Sequence, residues 1–320
     1  MSCLIKNIEK KINAGEDLKA DDALAVLRAP KELMAGLFYL ADKIRRKYFT
    51  DSLSLCSIVN AKSGVCSQDC SFCAQSVHNP TEIVEYPLLD SAELKQHYDR
   101  AGRLPIDNFG FVTSGPSVSD KDFSQIISLF EQLDETAEIC ASMGDFSVKQ
   151  FEKLKQAGLK RYHHNLETAP SFFSEICTTH DYSSRVETVQ KAKEAGLEIC
   201  SGGIIGLGET LEQRVELAIT LRKLDVDSIP LNFLIPVENS PTEKSSPPEP
   251  LEILKTISMF RLVNPEKEIK ICAGRIHLRD LQSMVFYAGA TGIMVGDLLT
   301  VSGRSVEKDL QMLEDLGFVK

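Results

Sequence analysis

The 320-residue sequence lacks tryptophan, and its aromatic content is only 7%. No apolar run approaches the roughly 18 residues that a membrane-spanning helix needs, and the segment Met1–Asp22 lacks the apolar stretch of a secretory signal peptide. Basic residues are also scarce, since 36 Lys and Arg stand against 46 Asp and Glu, a net charge of −10. Nucleic acids and anionic membranes both require a basic surface. We therefore expect a cytoplasmic protein without nucleic-acid or membrane partners.

What the sequence does contain is an ordinary globular composition with an unusual number of thiols. Apolar residues make up 43% and charged residues 26% of the chain, which excludes wholesale disorder. There are 9 cysteines. In a reducing compartment, thiols of this number are better explained as metal ligands or catalytic groups than as disulfides.

Short β-branched runs alternate with amphipathic helical patterns about eight times after an N-terminal helical portion, about Cys3–Phe49. The predicted strands are Leu53–Asn60, Asn108–Val112, Ala137–Ala141, Arg161–His164, Glu198–Ser201, Ser228–Phe233, Ile269–Ala273 and Gly292–Val295. This alternation predicts an α/β fold, a (β/α)8 TIM-type barrel over residues 51–320 with an N-terminal helical extension over residues 1–50 packed on it. An open doubly wound sheet is the structural alternative.

Three predicted helices end in an Ala-Gly pair: Val148–Gly158, Val186–Gly196 and Leu281–Gly289. Glycine in that position can adopt the left-handed conformation that terminates a helix. The segment Glu238–Pro250, rich in Pro and Ser, is predicted to be a loop within one strand–helix unit. The barrel is therefore expected to be a single domain.

Cys66, Cys70 and Cys73 form the strongest local motif, a C-x3-C-x2-C triplet with Phe72 before its last cysteine. Soft sulfur ligands select zinc, Cu(I) or iron–sulfur clusters. A zinc site would need a fourth ligand, for which His78 is the nearby candidate. The spacing instead resembles that of the radical S-adenosylmethionine (SAM) superfamily. In those enzymes three cysteines hold a [4Fe–4S] cluster whose open iron binds SAM.

A glycine-rich segment, Gly202–Glu209, follows the predicted fifth strand and is expected to turn into a helix. Its glycines would let backbone groups approach a ligand closely, and Glu209 is expected in the first helical turn. The segment is similar to the G-x-I-x-G-x-x-E pattern that lines the adenine pocket in radical-SAM barrels.

Four further segments narrow the resemblance: Tyr162–Thr168, Cys200–Gly203, Pro230–Pro236 and Cys272–Arg275. With them, the chain from about Cys56 to its C-terminus resembles the biotin synthase family. The resemblance implies a homodimeric barrel with two iron–sulfur clusters. It also implies that a 5′-deoxyadenosyl radical abstracts hydrogen from dethiobiotin, and that the second cluster donates sulfur to form biotin.

The same resemblance implies roles for individual residues. Asn165 and Asn232 match asparagines that bind dethiobiotin, and an amide can both donate to and accept from its ureido ring. Glu167 stands where the family usually has an aspartate on the SAM ribose, and Arg185 matches the arginine that pairs with the SAM carboxylate. The remaining residues assigned to the SAM pocket are Phe72, Gly202, Ile204, Gly206, Glu209 and Ile235.

The second cluster is where the sequence departs from its relatives. They hold a [2Fe–2S] cluster with cysteines on the second, third and fifth strands and an arginine after the seventh. Cys140, Cys200 and Arg275 match these positions, but the second-strand position is Gly110, which cannot ligate iron.

Two additional cysteines, Cys56 on the first strand and Cys272 on the seventh, are present instead. One layer of a barrel interior receives side chains from alternate strands. We therefore predict that Cys56, Cys140, Cys200 and Cys272 converge in one layer and hold a four-iron auxiliary cluster near Arg275. The alternative is a [2Fe–2S] cluster, with Cys56 and Cys272 packed in the core without binding iron.

Other functions remain open at this point. A hydrogenase-cofactor maturase or a mutase on the same barrel would need no sulfur donor, and a zinc-binding scaffold would be colourless. A flavodoxin or ferredoxin is the electron donor that the resemblance implies. Cys3, expected in a mobile N-terminus, and Cys177, expected in a helix, have no motif around them.

Overall fold

Parallel strands alternate with helices along most of the chain in the computed structural model, which describes residues 3–301 and 303–318. The strands are β1 (Ser54–Lys62), β2 (Asn108–Thr113), β3 (Glu138–Ser142), β4 (Arg161–His163), β5 (Glu198–Cys200), β6 (Gly203–Ile205), β7 (Ser228–Phe233), β8 (Glu268–Ile271) and β9 (Gly292–Met294). The helices are α1 (Cys3–Asn13), α2 (Ala20–Leu27), α3 (Met34–Phe49), α4 (Ser91–Ala101), α5 (Asp120–Phe130), α6 (Val148–Gln156), α7 (Tyr182–Glu194), α8 (Leu211–Leu224), α9 (Pro250–Val263), α10 (Met284–Tyr287) and α11 (Val306–Asp315).

The strands close into a barrel. They lie in the order β5-β4-β3-β2-β1-β9-β8-β7-β6, and an additional pairing of β5 with β7 completes the circle. Because β5 and β6 are two segments of one strand position, the barrel has eight positions. The predicted (β/α)8 barrel is confirmed, and the open sheet is excluded by the pairing of the first strand with the last.

The fifth position is interrupted between β5 and β6, which the sequence did not predict. Here Gly202 lies so close to β7 that a Cβ atom on it would be 1.9 Å from the carbonyl oxygen of Pro230. Pro230 has no N–H to donate at this level, so the ladder breaks and resumes at Gly203. The prediction that Gly202–Glu209 is a turn is therefore wrong over Gly203–Ile205, which is β-strand.

The Ala-Gly endings behave as predicted. Gly158, Gly196 and Gly289 have φ values of 113°, 77° and 108°, and each follows the end of its helix. The predicted helix Leu281–Gly289 is only partly correct, because a 3₁₀ segment (Arg275–Leu281) precedes the short α10.

The N-terminal residues form helices that pack on the barrel's outer helices. Buried Ile5, Ile8 and Ile12 line one face of α1, and α2 and α3 contact α8 and α9. Cys3 is the first residue of α1 and is exposed. Within the described ranges, no helix has the length and apolarity to cross a membrane.

Candidate functional site

A cavity of about 340 Å³ opens at the carboxyl ends of the strands, where barrel enzymes place their active sites. Its walls include Cys73 of the triplet, Cys272 after β8, and both predicted substrate asparagines, Asn165 and Asn232. The predicted pocket residues Phe72, Glu167, Ile204 and Ile235 also line it. The cavity thus joins the two sets of thiols that the sequence singles out.

The triplet lies in a loop between β1 and α4 that is held by backbone hydrogen bonds. Cys66 and Gln75 are joined by a 3.0 Å bond from N–H to carbonyl. The amide of Asn79 donates to the carbonyls of Cys70 (3.0 Å) and Cys73 (2.9 Å), which curls the loop around these two residues. Burial raises the pKa of the Cys73 thiol to about 11, so its thiolate requires a nearby cation.

The spacing of the triplet favours a cluster over a single ion. Among residues 3–301 and 303–318, the one group of three metal-ligating atoms within 4.8 Å of one another is Cys70, Cys177 and His180. The triplet thiols are spread more widely, as expected when each binds a different iron. The zinc alternative loses its fourth ligand, because the exposed His78 ring contacts the Ser67 carbonyl at 3.1 Å.

Cys177 is a residue whose environment the sequence did not reveal. It lies in the loop between a 3₁₀ turn and α7, not in a helix as predicted. Its Sγ is 3.8 Å from Cys70 Sγ, 3.2 Å from His180 Nδ1 and 3.1 Å from a carboxylate oxygen of Asp69. Hydrogen bonding with Cys70 lowers the pKa of Cys177 and raises that of Cys70. Cys177 therefore belongs to the immediate surroundings of the triplet.

Arg185 is buried beside the cavity rather than exposed on the surface of α7. Its Nη1 donates to the Asn165 carbonyl (2.9 Å) and lies 3.5 Å from the Glu167 carboxylate. Its Nε donates to His180 Nε2 at 3.1 Å, and its guanidinium lies over the Phe173 ring. Contacts on several sides fix the direction of the guanidinium fork, which is what recognition of a carboxylate requires.

Glu167 sits on an irregular segment that crosses the end of β6. Its φ is 68°, and its carbonyl accepts from the N–H of Ile204 at 2.8 Å. The asparagine amide of Asn165 reaches the Glu167 carboxylate at 3.3 Å. Arg185, Asn165 and Glu167 therefore form one connected network on the cavity wall.

Glu209 does not lie in the first turn of α8 as predicted; it immediately precedes Thr210, the residue that caps this helix. Its carboxylate accepts from the Gly206 N–H (2.9 and 3.1 Å) and pairs with Arg214 (2.7 Å). Gly206 has a φ of 102°, which a residue with a Cβ atom rarely adopts. Glu209 thus holds the glycine turn in shape rather than facing the cavity.

Asn165 and Asn232 are anchored by backbone groups of the barrel. Asn165 Oδ1 accepts from Gly202 at 3.1 Å, while Asn232 accepts from Ala273 at 3.1 Å and donates to Gly203 at 3.3 Å. Each amide keeps a second hydrogen-bonding direction on both its oxygen and nitrogen. The backbone contacts therefore orient these side chains without using all of their hydrogen-bonding capacity.

Three of the predicted auxiliary-cluster cysteines occupy one layer of the interior. In an eight-stranded barrel of this type, each strand is displaced by about one residue from its neighbour. From β1 to β3, Cys56 pairs with Asn108, and Asn108 pairs with Glu138. Over these two strands the displacement adds up to two residues, so the residue of β3 that is level with Cys56 is Cys140. The same step, repeated around the barrel, returns to Cys56. The members of this layer are Cys56, Cys140, Cys200 and Lys270.

The prediction that Cys272 shares this layer is wrong. It lies two residues beyond Lys270, one layer closer to the cavity mouth, and its N–H donates to the Leu231 carbonyl at 2.9 Å. Cys56, Cys140 and Cys200 therefore share one layer and Cys272 belongs to the next, so the four residues do not lie in one plane. Burial raises the pKa of the thiols of Cys56, Cys140, Cys200 and Cys272, so metal binding has to displace their protons.

Arg275 is paired with a carboxylate rather than with a thiol, although it lines a cavity together with Cys272. Its guanidinium forms two hydrogen bonds to the buried carboxylate of Asp309 on α11 and one to the Met294 carbonyl, at 3.1 Å. We therefore interpret Arg275 as the residue that docks α11 on the barrel.

Two residues of the site were missed by the sequence analysis. His163 on β4 lines the cavity, and burial lowers its pKa, so the ring is neutral. Lys270 lies inside the barrel, and the alternation of strand side chains could have revealed this, because it is two residues from Cys272.

The chain matches two family models, one described as the radical SAM superfamily over residues 61–221 and one as the biotin and thiamin synthesis associated domain over residues 230–319. It is 47% identical to the biotin synthase of Maridesulfovibrio salexigens, over 96% of this chain and 94% of that protein. It is 45% identical to the biotin synthase of Geobacter metallireducens, over 99% and 97% of the two chains.

The chain belongs to the biotin synthase family. It is therefore an enzyme, a radical-SAM sulfurtransferase of biotin synthesis. The boundary between the two family matches falls between α8 and β7, inside a continuous barrel.

Solved structures confirm the fold. A crystal structure of methylornithine synthase superimposes with a TM-score of 0.82 at 22% identity, over 97% of this chain and 96% of that one. The FeFe-hydrogenase maturase of Carboxydothermus hydrogenoformans has the same TM-score at 21% identity, over 98% and 78% of the two chains. Because their identities are low, these structures support the barrel and not the alternative functions.

Proposed function

We propose that the enzyme converts dethiobiotin to biotin in the cavity at the carboxyl end of the barrel. The observation that carries this proposal is that one cavity is lined by a thiol of the triplet, Cys73, and by a thiol of the barrel interior, Cys272. Asn165 and Asn232 lie on the wall between them. A substrate bound there would touch both reacting groups.

Cys66, Cys70 and Cys73 would hold the [4Fe–4S] cluster, for which three soft thiolates at wide spacing are a suitable donor set. When bound, this cluster and SAM supply radical chemistry, and an auxiliary cluster supplies sulfur. Arg185 would bind the SAM carboxylate with its fixed fork, and Glu167 would accept from the ribose. The SAM pocket would be completed by Phe72, Gly202, Ile204, Gly206 and Ile235, with Glu209 supporting the turn.

Cys56, Cys140, Cys200 and Cys272 would hold the auxiliary cluster, in place of the ligand set of relatives. Four cysteines that face the barrel interior from two adjacent layers support a four-iron cluster over a two-iron one. Gly110 pairs with Cys140, and a Cβ atom on it would lie only 3.0 Å from the Ile58 side chain. The space beside the second-strand position is therefore filled by Ile58, and this position offers no ligand.

The decisive test is an anaerobic assay of reconstituted enzyme with a flavodoxin or ferredoxin system, SAM and dethiobiotin. We expect biotin and 5′-deoxyadenosine together. Formation of 5′-deoxyadenosine without biotin would contradict sulfur insertion. Size-exclusion chromatography with light scattering tests the homodimer.

Cys272→Ser tests the auxiliary ligand set. We expect the iron content to fall to that of the SAM cluster alone, with biotin formation lost and SAM cleavage retained, because the fourth thiolate is missing. The matched control is Cys3→Ser, which changes an exposed cysteine on α1. An unchanged auxiliary Mössbauer spectrum in Cys272→Ser would rule this ligand out.

A further inference from the structure

Lys270 is a charged residue buried at the centre of the barrel, with 2% of its side chain exposed. Its Nζ lies 2.6 Å from Asn108 Oδ1, 3.2 Å from Cys56 Sγ and 3.3 Å from the Glu268 carboxylate. A buried ammonium requires anionic or accepting partners on every side from which its three hydrogens point. One of its three contacts is a thiol.

The carboxylate beneath Lys270 is shared. Glu268 accepts from Arg161 at 2.6 Å, and Arg161 also binds Glu198 at 2.7 Å. Asn108, the other partner of Lys270, donates its own amide to Glu138 at 2.8 Å. Glu268 and Asn108 thus hold the Lys270 ammonium on one side, and its other side faces the thiols.

Lys270 also fills the fourth place of the layer that Cys56, Cys140 and Cys200 form. Among residues 3–301 and 303–318, the guanidinium of Arg275 forms no hydrogen bond to a thiol, because it is paired with Asp309. Lys270 is thus the cation that contacts a proposed ligand of the auxiliary cluster. Four thiolates on a cluster bring net negative charge into a poorly solvated interior, where a nearby cation has a large effect.

We propose that Lys270 is a positioning residue of the auxiliary cluster: its ammonium donates a hydrogen bond to the Cys56 thiolate and holds the cluster at a raised reduction potential. The proposal rests on the auxiliary cluster of the proposed function. Hydrogen bonds to cluster sulfurs and nearby positive charge make the reduced, more negative state easier to form. In the proposed function, a substrate carbon radical that bonds to a sulfide of the auxiliary cluster would convert that sulfide to a thiolate, and the one electron released would reduce a ferric iron of the cluster to ferrous. The raised potential would favour that step.

The test is a redox titration of the reconstituted holoenzyme, followed by the EPR signal that SAM does not alter. In Lys270→Met we expect a full complement of iron, with the ratio of reduced to oxidised auxiliary cluster at a fixed potential falling by about tenfold, a shift of about 59 mV for one electron. Lys270→Arg should recover most of the shift. The control is Lys267→Met, which removes a lysine that pairs with Asp225 outside the barrel.

A purely structural role would lower the unfolding midpoint of Lys270→Met and leave the potential of its auxiliary cluster unchanged, and that result would overturn the proposal. Should this variant not retain the cluster, wild-type enzyme labelled with ¹⁵N-lysine decides the question. Pulsed EPR of the reduced auxiliary cluster should then show ¹⁵N hyperfine coupling. Absence of this coupling would also overturn the proposal. A wild-type enzyme with only one cluster would instead refute the auxiliary cluster itself.

Discussion

Arg185 lies beside Glu167, which lines the cavity, and is held by the Asn165 carbonyl, His180 and the Phe173 ring. A lysine at this position would keep the charge but lose the two-pronged geometry that binds a carboxylate. Hydrogen bonds to charged groups contribute about 1.5–3 kcal/mol. We therefore expect Arg185→Lys to weaken SAM binding by roughly tenfold or more, measured by equilibrium binding to the reconstituted enzyme.

The matched control for this change is Arg100→Lys on α4, where the side chain is exposed and contacts only His97 among the hydrogen bonds found. Equal SAM affinity of Arg185→Lys and wild type would contradict the assignment. A loss confined to thermal stability would indicate that Arg185 only supports the fold.

At the same scale, local motifs identify the candidate residues but not their surroundings. The triplet and the asparagines follow from such motifs, and Cys73, Asn165 and Asn232 line one cavity. Cys177 could not be assigned, because its contacts with Asp69 and Cys70 cross more than 100 residues of sequence. The ion pair of Arg275 with Asp309 could not be predicted for the same reason, since Asp309 belongs to a distant helix.

Among the elements, α11 depends on one buried ion pair. Asp309 has no exposed surface, and its carboxylate is shared by Arg275 and Arg304. Removing one partner of a buried pair costs about 3–5 kcal/mol, because the other charge is left unpaired. Because Arg304 still lies 3.4 Å from Asp309, we expect Arg275→Met to lower the free energy of unfolding by about 3 kcal/mol, the lower end of this range, measured by urea denaturation under anaerobic conditions.

The double substitution Arg275→Met/Asp309→Leu should recover a large part of this loss, since no isolated charge then remains buried. If Arg275 were a cluster ligand, the double variant would regain stability but not the auxiliary cluster. Iron analysis of the double variant therefore separates docking of α11 from ligation.

Element boundaries were predictable where a local signal exists. The glycines that end three helices have the expected left-handed conformation, and the strand positions follow from β-branched runs. The break between β5 and β6 has no such signal, because it arises from the approach of Gly202 to Pro230 on another strand. The layer of Cys272 was predicted wrongly for a similar reason, since the register around a closed barrel depends on every strand pairing in the circle.

For the molecule as a whole, buried neutral histidines predict a pH dependence of stability. Burial lowers the pKa of His163, His164 and His180, the last to about 4. In the unfolded chain these rings titrate near 6.5. At pH values between the folded and unfolded pKa values, the unfolded state binds more protons than the folded state. The free energy of unfolding therefore falls as the pH drops below about 6.5.

We expect the thermal unfolding midpoint to decrease between pH 7 and pH 5, and His180→Gln to reduce the slope. The exposed His78 supplies the control, as His78→Gln. Asp69, whose pKa is lowered by hydrogen bonds from Thr178, contributes to the pH dependence of stability only at still lower pH. A midpoint that is constant down to pH 5 would contradict the prediction.

The closure of the barrel has a consequence for the order of events during biosynthesis. The triplet lies within one loop, so its ligands come together as soon as that loop has left the ribosome. Cys56 and Lys270, in contrast, are 214 residues apart and meet only when β1 pairs with β9 at the end of folding. Such long-range closure is slow. The triplet loop is therefore complete long before the inner thiols have assembled, so the proposed auxiliary cluster would be installed only after translation ends.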